Sequence, residues 1–161
     1  MSSDGSAVRK VEAVEASAAR VDLSVVIPVF NEAETLSNLH QRLSKTLKEM
    51  GRSYEVIYVD DGSTDGSEAL LKKLHQTDLT VKVIRFNRNY GQHAAVVAGF
   101  ERALGEVVVT LDGDLQNPPE EIPKLLAKLD EGYDVVGGWR AGRRDPFTRR
   151  LFSLLIYRVT S

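Results

Sequence analysis

Apolar segments of strand length alternate with amphipathic segments of helix length along most of the chain, and this alternation restricts the possible folds more than any other feature. Residues 22–30 (DLSVVIPVF) are nearly continuous in β-branched and other apolar side chains, which is typical of a buried strand. From Glu34 onward, leucines recur at three- and four-residue spacing until Gly51, as on one face of a helix. This order predicts parallel strands joined by crossover helices.

The same pattern repeats through the rest of the chain. It predicts strands at 54–61, 80–86, 106–114 and 133–139, with helices between them at 68–76, 91–105 and 119–132. Strands that are apolar on both sides need cover on both sides, so helices should pack on both faces of the sheet. We therefore predict an α/β, Rossmann-like fold with a mainly parallel sheet.

Length and composition narrow the class of protein. A chain of 161 residues is long enough for one domain with a core, and the absence of cysteine excludes disulfides, thiolate zinc sites and a cysteine nucleophile. No run approaches the roughly 20 apolar residues that cross a bilayer. Residues 1–21 lack the apolar core of a secretory signal and are predicted to be a disordered leader. The sheet domain is then expected at 22–140.

The last part of the sequence is strongly basic. Residues 137–161 contain six arginines and one acidic residue, Asp145. Residues 145–161 (DPFTRRLFSLLIYRVTS) place Phe147, Leu151, Leu154 and Leu155 on one helical stripe with most arginines off it. We predict that 141–161 is a basic amphipathic segment that faces an acceptor or a membrane and is incomplete, because no helix stop signal precedes Ser161. A solvated arginine-rich surface is the alternative.

Polar residues follow the predicted strands, and the carboxyl ends of parallel strands are where such sheets bind ligands. Asp112, Asp114 and Gln116 follow the fourth strand at alternate positions, so in an extended backbone their side chains would project to the same side. Their oxygens would suit Mg²⁺ or Mn²⁺, which complete their coordination with substrate phosphates. The alternative is that both aspartates are turn residues; the position at a strand end and the added amide favour the metal.

Two further aspartates, Asp60 and Asp61, end the second predicted strand. A carboxylate there accepts hydrogen bonds from a base N–H or a ribose hydroxyl, although turn chemistry is the alternative. We interpret Asp65 as a helix-start residue, and for His93 a phosphate contact and a plain surface position are equally supported. The glycine fingerprints of dinucleotide-binding and P-loop proteins are absent, and we expect no nucleic-acid partner.

Four motifs in order carry a family resemblance: SVVIPVFNE, VDDGSTDGS, RNYGQHAAVVAGF and LDGDLQNPPEEIPKLL. Over about residues 22–158 the chain resembles the family 2 inverting glycosyltransferases with a GT-A fold. Within that family it is most similar to the polyprenyl-phosphate glycosyltransferases, which include dolichol-phosphate mannose synthases and undecaprenyl-phosphate glucosyl- and aminoarabinosyl-type transferases. RNYGQHAA is more similar to the latter branch, which implies a UDP-sugar donor.

The resemblance also implies roles for individual residues. Nucleotide contacts would come from Pro28, Val29, Asn31, Glu32, Asp60, Asp61 and Asp112. The metal on the donor diphosphate would be held by Asp112, Asp114 and Gln116, which with Arg140 form the implied catalytic set. The acceptor phosphate would be bound by Arg140, Arg149 and Ser153.

The acceptor implied by the resemblance is a polyprenyl phosphate at the cytoplasmic face of a membrane, and many family members continue into transmembrane helices. A homo-oligomer is compatible with the sequence. Two other functions stay open: transfer to a saccharide hydroxyl, and nucleotide-sugar binding without turnover. A phosphoacceptor receiver domain is disfavoured, because its paired acids would follow the first strand, where Pro28 to Glu32 stand instead.

Overall fold

The computed structural model describes residues 20–138 and 154–158. The strands are β1 (Val21–Val29), β2 (Tyr54–Asp60), β3 (Val81–Arg85), β4 (Gly105–Leu111), β5 (Val135–Gly137) and β6 (Leu154–Arg158). The helices are α1 (Ala33–Glu49), α2 (Ser67–Thr77), α3 (Gln92–Phe100) and α4 (Ile122–Asp130), with a 3₁₀ turn at Pro119–Glu121. Within the described residues, these strands form one sheet in the order β3-β2-β1-β4-β6-β5.

The central part of the sheet is parallel, as predicted. Strand β1 pairs in parallel with β2 on one side and with β4 on the other, and β3 pairs in parallel with β2. In this register Val29 lies opposite Asp60, and Asp60 lies opposite Arg85. The carboxyl ends of three neighbouring strands therefore meet at one edge, which confirms the α/β fold and the edge at which polar residues were expected to gather.

The two faces of the sheet are covered unequally. Helices α1, α2 and α4 pack on one face over a large core, to which α1 contributes Leu36, Leu39, Leu43 and Leu47, all essentially fully buried. Burying each leucine contributes about 1.5–3 kcal/mol, so this stripe is enough to hold α1 on the sheet. Helix α3 packs on the other face over a smaller cluster that includes Val26 and Ala95. Helices on both faces are thus confirmed.

The helix that we predicted over 145–161 is wrong for residues 154–158. These residues form β6, which lies antiparallel between β4 and β5. Leu154 and Ile156 are buried while Leu155 and Tyr157 are half-buried, which is the two-residue period of a strand. Leu154 and Leu155 fit the apolar pattern of a helix and that of a strand. The strand forms because pairing with β4 supplies hydrogen bonds to the backbone N–H and C=O groups along that edge.

Arg158 belongs to the segment that we predicted to face an acceptor or a membrane, but in the structure it contacts the end of α4 instead. One Nη donates to the carbonyl oxygen of Leu129 at 3.5 Å and lies 3.6 Å from an Asp130 carboxylate oxygen. Since Arg158 pairs with Val107 near the start of β4, it lies at the edge opposite the carboxyl ends of the parallel strands. The remaining arginines of that segment, and the predicted boundary between 140 and 141, lie outside the described residues.

Candidate active site

A cavity of about 330 Å³ opens at the carboxyl ends of β1, β2 and β4. It is the kind of crevice in which open parallel sheets bind ligands, because loops and helix N-termini converge there. The residues that line it are Pro28, Val29, Phe30, Glu32, Asp61, Asn89, Gly91, Gln92, Asp112, Gly113 and Asp114. Of the residues predicted from the sequence to contact a nucleotide or a metal, six lie in this lining.

The two aspartates of the LDGD motif both line the cavity, although not for the reason given by strand periodicity. Strand β4 ends at Leu111, and the chain turns at once after Asp112. Leu115 has a φ of 60°, which is rare for a bulky side chain and costs of order 1–2 kcal/mol. A turn rather than an extended backbone therefore brings Asp112 and Asp114 to the same cavity.

The Asp112 carboxylate accepts hydrogen bonds from two side-chain amides. Gln92 Nε2 donates to Oδ1 at 2.8 Å, and Asn117 Nδ2 donates to Oδ2 at 3.4 Å. Asp114 instead accepts the backbone N–H of Gln116 at 3.0 Å, as is usual for aspartate in a turn. The Gln116 side chain is exposed and is not part of the cavity lining, so its role as a metal ligand stays a prediction.

The two aspartates that end β2 differ in their surroundings. Asp60 is 1% exposed; its Oδ1 accepts the Ser63 N–H at 2.9 Å and its Oδ2 lies 3.7 Å from Arg85 Nε. Asp61 lines the cavity, and its two oxygens accept the backbone N–H groups of Tyr90 and Gly91 at 2.7 and 2.8 Å. Asp60 thus stabilises its own turn, whereas Asp61 joins the end of β2 to the loop before α3.

Asn31 and Glu32 connect the loops after β1 and β2. Asn31 has a φ of 56°, its N–H donates to Ser63 Oγ at 3.0 Å, and its Oδ1 accepts the Thr64 N–H at 2.8 Å. The Glu32 N–H donates to Ser67 Oγ at 3.0 Å, and the Glu32 side chain reaches the cavity. Asn31 does not line the cavity, and its observed contacts are those with Ser63 and Thr64 in the loop after β2.

Asp65 behaves as a helix-start residue, as we interpreted it. Its carboxylate accepts the N–H of Ala33, the first residue of α1, at 2.9 Å, and the N–H of Ser67, the first residue of α2, at 3.0 Å. The hydrogen bond from the Ala33 N–H, and then the one from the Ser67 hydroxyl at 2.7 Å, lower the pKa of Asp65. One carboxylate therefore caps two helices next to the candidate site.

Sequence reasoning missed the part of the cavity that comes from the loop before α3. Asn89, Gly91 and Gln92 line the cavity, whereas the candidate that the sequence offered from this region, His93, is exposed on the first turn of α3. The available signal was position, because this loop follows β3 at the same edge as the other candidate residues.

The residues present fit a divalent cation in one respect. Asp112 and Asp114 are two of the four acidic residues that line the cavity, and Mg²⁺ is commonly bound by one or two carboxylates together with substrate phosphates and water. Within residues 20–138 and 154–158, no cluster of three or more His, Cys, Asp or Glu residues could hold a metal alone. A cation here would therefore depend on oxygens from a bound diphosphate.

The three residues predicted to bind the acceptor phosphate, Arg140, Arg149 and Ser153, lie outside the described residues. Across the described part of the chain, no helix is both long enough and apolar enough to span a bilayer.

The architecture is that of the GT-A nucleotide-sugar transferases. A mannosyltransferase, PcManGT from Pyrobaculum calidifontis, in complex with GDP-Man and Mn²⁺, superposes with a TM-score of 0.68 at 19% identity over 86% of this chain and 45% of that one. Residues 1–349 of S. aureus TarS, in complex with UDP, give a TM-score of 0.63 at 24% identity, over 86% of this chain and 47% of that one. A mycobacterial protein gives a TM-score of 0.64 at 21% identity, over 86% of this chain and 53% of that one. The chain spans about half the length of each of these three solved chains, and 28% of the longer TarS chain.

Residues 24–158 match the sequence profile of Glycosyl transferase family 2. The chain belongs to this family. The match runs from within β1 to the last residue of β6, so it includes the cavity and the antiparallel strand.

Proposed function

We propose that this chain carries the donor-binding half of an inverting glycosyltransferase that moves a sugar from a nucleotide-sugar, a UDP-sugar, to a polyprenyl phosphate in a metal-dependent reaction. The observation that supports this most directly is that Asp112 and Asp114 line one cavity together with Pro28, Val29 and Asp61. Acidic groups for a cation and acceptors for a nucleoside thus face a space at the binding edge of the sheet.

The nucleoside would bind between the ends of β1 and β2. Asp61 is the better candidate for the base or ribose, because it lines the cavity whereas Asp60 does not. Each carboxylate oxygen accepts more than one hydrogen bond, so Asp61 keeps acceptor capacity beyond its two backbone contacts. Pro28, Val29 and Glu32 would border the nucleotide, and Asn31 would act through the loop contacts that hold the end of β1.

The donor diphosphate would lie against Asp112 and Asp114, with Mg²⁺ or Mn²⁺ held by these carboxylates and Gln116. The cation supplies charge neutralisation of the leaving diphosphate. The chain's own contribution would be to hold both carboxylates at the cavity wall, Asp112 through its two amide donors and Asp114 through the hydrogen bond from the Gln116 N–H. Such preorganised groups lower the barrier because they need no rearrangement during the reaction.

The acceptor phosphate would be bound by Arg140, Arg149 and Ser153, residues that the family resemblance assigns to this role. An anionic phosphate is already a nucleophile near neutral pH, so the reaction needs positioning and charge balance more than a general base. The basic residues at 140–150 would also favour an anionic membrane surface, where a polyprenyl phosphate resides. The full-length protein would then lie at the cytoplasmic face of a membrane.

Calorimetric titration with UDP, in the presence and absence of Mn²⁺, tests the donor site. We expect tighter binding with Mn²⁺, and Asp114→Ala should remove that gain without unfolding the protein, since Asp114 is half-exposed in a turn. Glu49→Ala, an exposed acid at the end of α1, is the matched control and should bind like the parent. GDP is the alternative nucleotide to titrate. If the Asp114→Ala variant binds UDP with Mn²⁺ as tightly as the parent does, the metal site is refuted.

A transfer assay with labelled UDP-sugars tests the acceptor. Vesicles that contain polyprenyl phosphate are compared with soluble saccharides, and labelled lipid in the vesicle arm alone is the expected result. Label on the saccharide alone would favour transfer to a hydroxyl. Nucleotide binding without labelled product in either arm would favour a non-catalytic domain.

A further inference from the structure

The hydrogen bond between Gln92 and Asp112 connects two elements that the donor reaction would need to hold together. Gln92 is the first residue of α3, and Asp112 directly follows β4; both line the cavity. The bond is 2.8 Å long, whereas the second amide, from Asn117, lies at 3.4 Å. Gln92 is thus the closer of these two amide donors to the first aspartate of the motif.

The backbone at Gln92 is held from the side of β2. The Asp61 carboxylate, 2% exposed, accepts the N–H groups of the two preceding residues, Tyr90 and Gly91. Gly91 has a φ of 96°, a conformation that glycine adopts without strain, and it turns the chain directly into α3. Because this turn is fixed, the Gln92 side chain needs little further ordering to reach Asp112.

A close backbone contact supports the same loop. Gly62 follows Asp61 with a φ of 75°, and a Cβ at Gly62 would lie 2.5 Å from the carbonyl carbon of Arg88. The loop before α3 therefore rests directly on the turn after β2. The contacts run in order from Asp61 to the loop, from the loop to Gln92, and from Gln92 to Asp112.

We propose that Gln92 is a positioning residue that orients the Asp112 carboxylate toward the diphosphate-bound cation; this rests on the proposed function. A neutral amide suits the task, because it fixes one oxygen without cancelling the charge that a cation requires. Water competes with this bond while the cavity is open. A diphosphate that fills the cavity displaces that water, so the contribution of Gln92 should appear when ligand and cation are both bound.

Gln92→Met, which keeps the length of the side chain and removes the donor, tests this role. We expect UDP affinity with Mn²⁺ to fall at least 10-fold, as for other partners of metal ligands, and UDP affinity without Mn²⁺ to change less than 2-fold. Gln41→Met, at an exposed position on α1, is the matched control and should change neither. An equal loss with and without Mn²⁺, or no loss in either, would overturn the proposal.

A second measurement separates this proposal from the proposed function. In the metal-free protein, the side-chain amide resonances of ¹⁵N-labelled Gln92 should differ between the parent and Asp112→Ala, because the hydrogen bond is lost. Identical resonances would overturn the role of Gln92 even if UDP binds with Mn²⁺. A different result is that the Gln92 resonances change in Asp112→Ala but Mn²⁺ does not increase the UDP affinity of the parent. The metal-dependent function would then fail, and the Gln92–Asp112 contact would be a structural link between α3 and β4.

Discussion

Carboxylates lie at both ends of the parallel strands, and Glu55 at one end is satisfied differently from Asp61 and Asp112 at the other. At the amino end, Glu55 accepts Ser24 Oγ at 2.6 Å and the Leu104 N–H at 2.7 Å, and Lys82 Nζ lies 2.5 Å from its other oxygen. At the carboxyl end, Asp61 accepts backbone N–H groups and Asp112 accepts side-chain amides around a cavity. Lys82 pairs with Glu55, whereas neutral donors hold Asp61 and Asp112.

The pKa of Glu55 reflects this difference. Burial raises the pKa of its carboxyl, but hydrogen bonds from Lys82, Ser24 and Leu104 outweigh burial, so the pKa lies below its usual value. Glu55 is therefore ionised, paired and surrounded by packed strands, which suits a structural role. Carboxylates whose charge is held by neutral donors beside open space are suited to bind a cation or a nucleoside. The surroundings of an acid, more than its burial, separate the two roles.

Glu55→Ala is expected to have the largest effect on stability. It leaves the Ser24 hydroxyl and the Leu104 N–H without their buried acceptor and removes the partner of Lys82, which costs about 3 kcal/mol in the free energy of unfolding. Denaturant titration measures this, with exposed Glu49→Ala as control. UDP affinity of the folded variant should match the parent; a marked loss would show that the two ends of the strands are coupled.

Gly62→Ala tests the carboxyl end and should cost about 2 kcal/mol, from left-handed backbone strain together with the contact with Arg88. The loop before α3 must shift, so UDP affinity should also fall. Gly51→Ala is the control, because Gly51 also has a positive φ of 64° but its Cβ would meet nothing within 4 Å. That variant should lose only about 1 kcal/mol and keep its UDP affinity. Unchanged UDP affinity in Gly62→Ala would contradict the role of the loop contact.

His40→Gln should give the smallest effect, seen in the pH dependence of stability. His40 contacts the hydroxyl of buried Tyr58 at 3.2 Å and lies 3.4 Å from Asp78, near the start of β3. Burial lowers the pKa of His40, against the opposing effect of Asp78, while Lys48 adds to the lowering. The folded state therefore binds fewer protons than the unfolded state, so stability is full above the unfolded pKa of about 6.5 and decreases below it.

Denaturant titrations between pH 7.5 and 5 measure the His40 effect. Asp78 stays ionised across this range, since hydrogen bonds from Thr80 outweigh its burial and lower its pKa. The parent should lose stability toward pH 5, and His40→Gln should lose less. A parent whose stability rises toward pH 5 would mean that the ion pair with Asp78 dominates over burial.

Local patterns predicted much of this molecule, and non-local contacts account for the rest. The strands β1 to β4 and the helices between them follow from periodicity, and the rule for parallel sheets placed Asp61, Asp112 and Asp114 at one edge. The bond from Gln92 to Asp112 spans twenty residues of sequence and depends on a turn held by Asp61. No local pattern encodes such a contact.

The error in the last segment has the same origin. The sequence LLIYR at 154–158 fits a helix or a strand, and its conformation is set by β4, more than forty residues earlier in the chain. Side-chain periodicity is ambiguous over five residues, so backbone pairing with a distant strand decides the outcome.

The position of β6 in the sheet also sets an order on folding. Strands β1 to β4 pair with one another and are able to assemble as they leave the ribosome, from the amino terminus onward. Strand β5 is made next, yet in the part of the chain described here its backbone pairs with β6 alone. Strand β5 therefore joins the sheet only after residues 154–158 have been synthesised and have paired with β4.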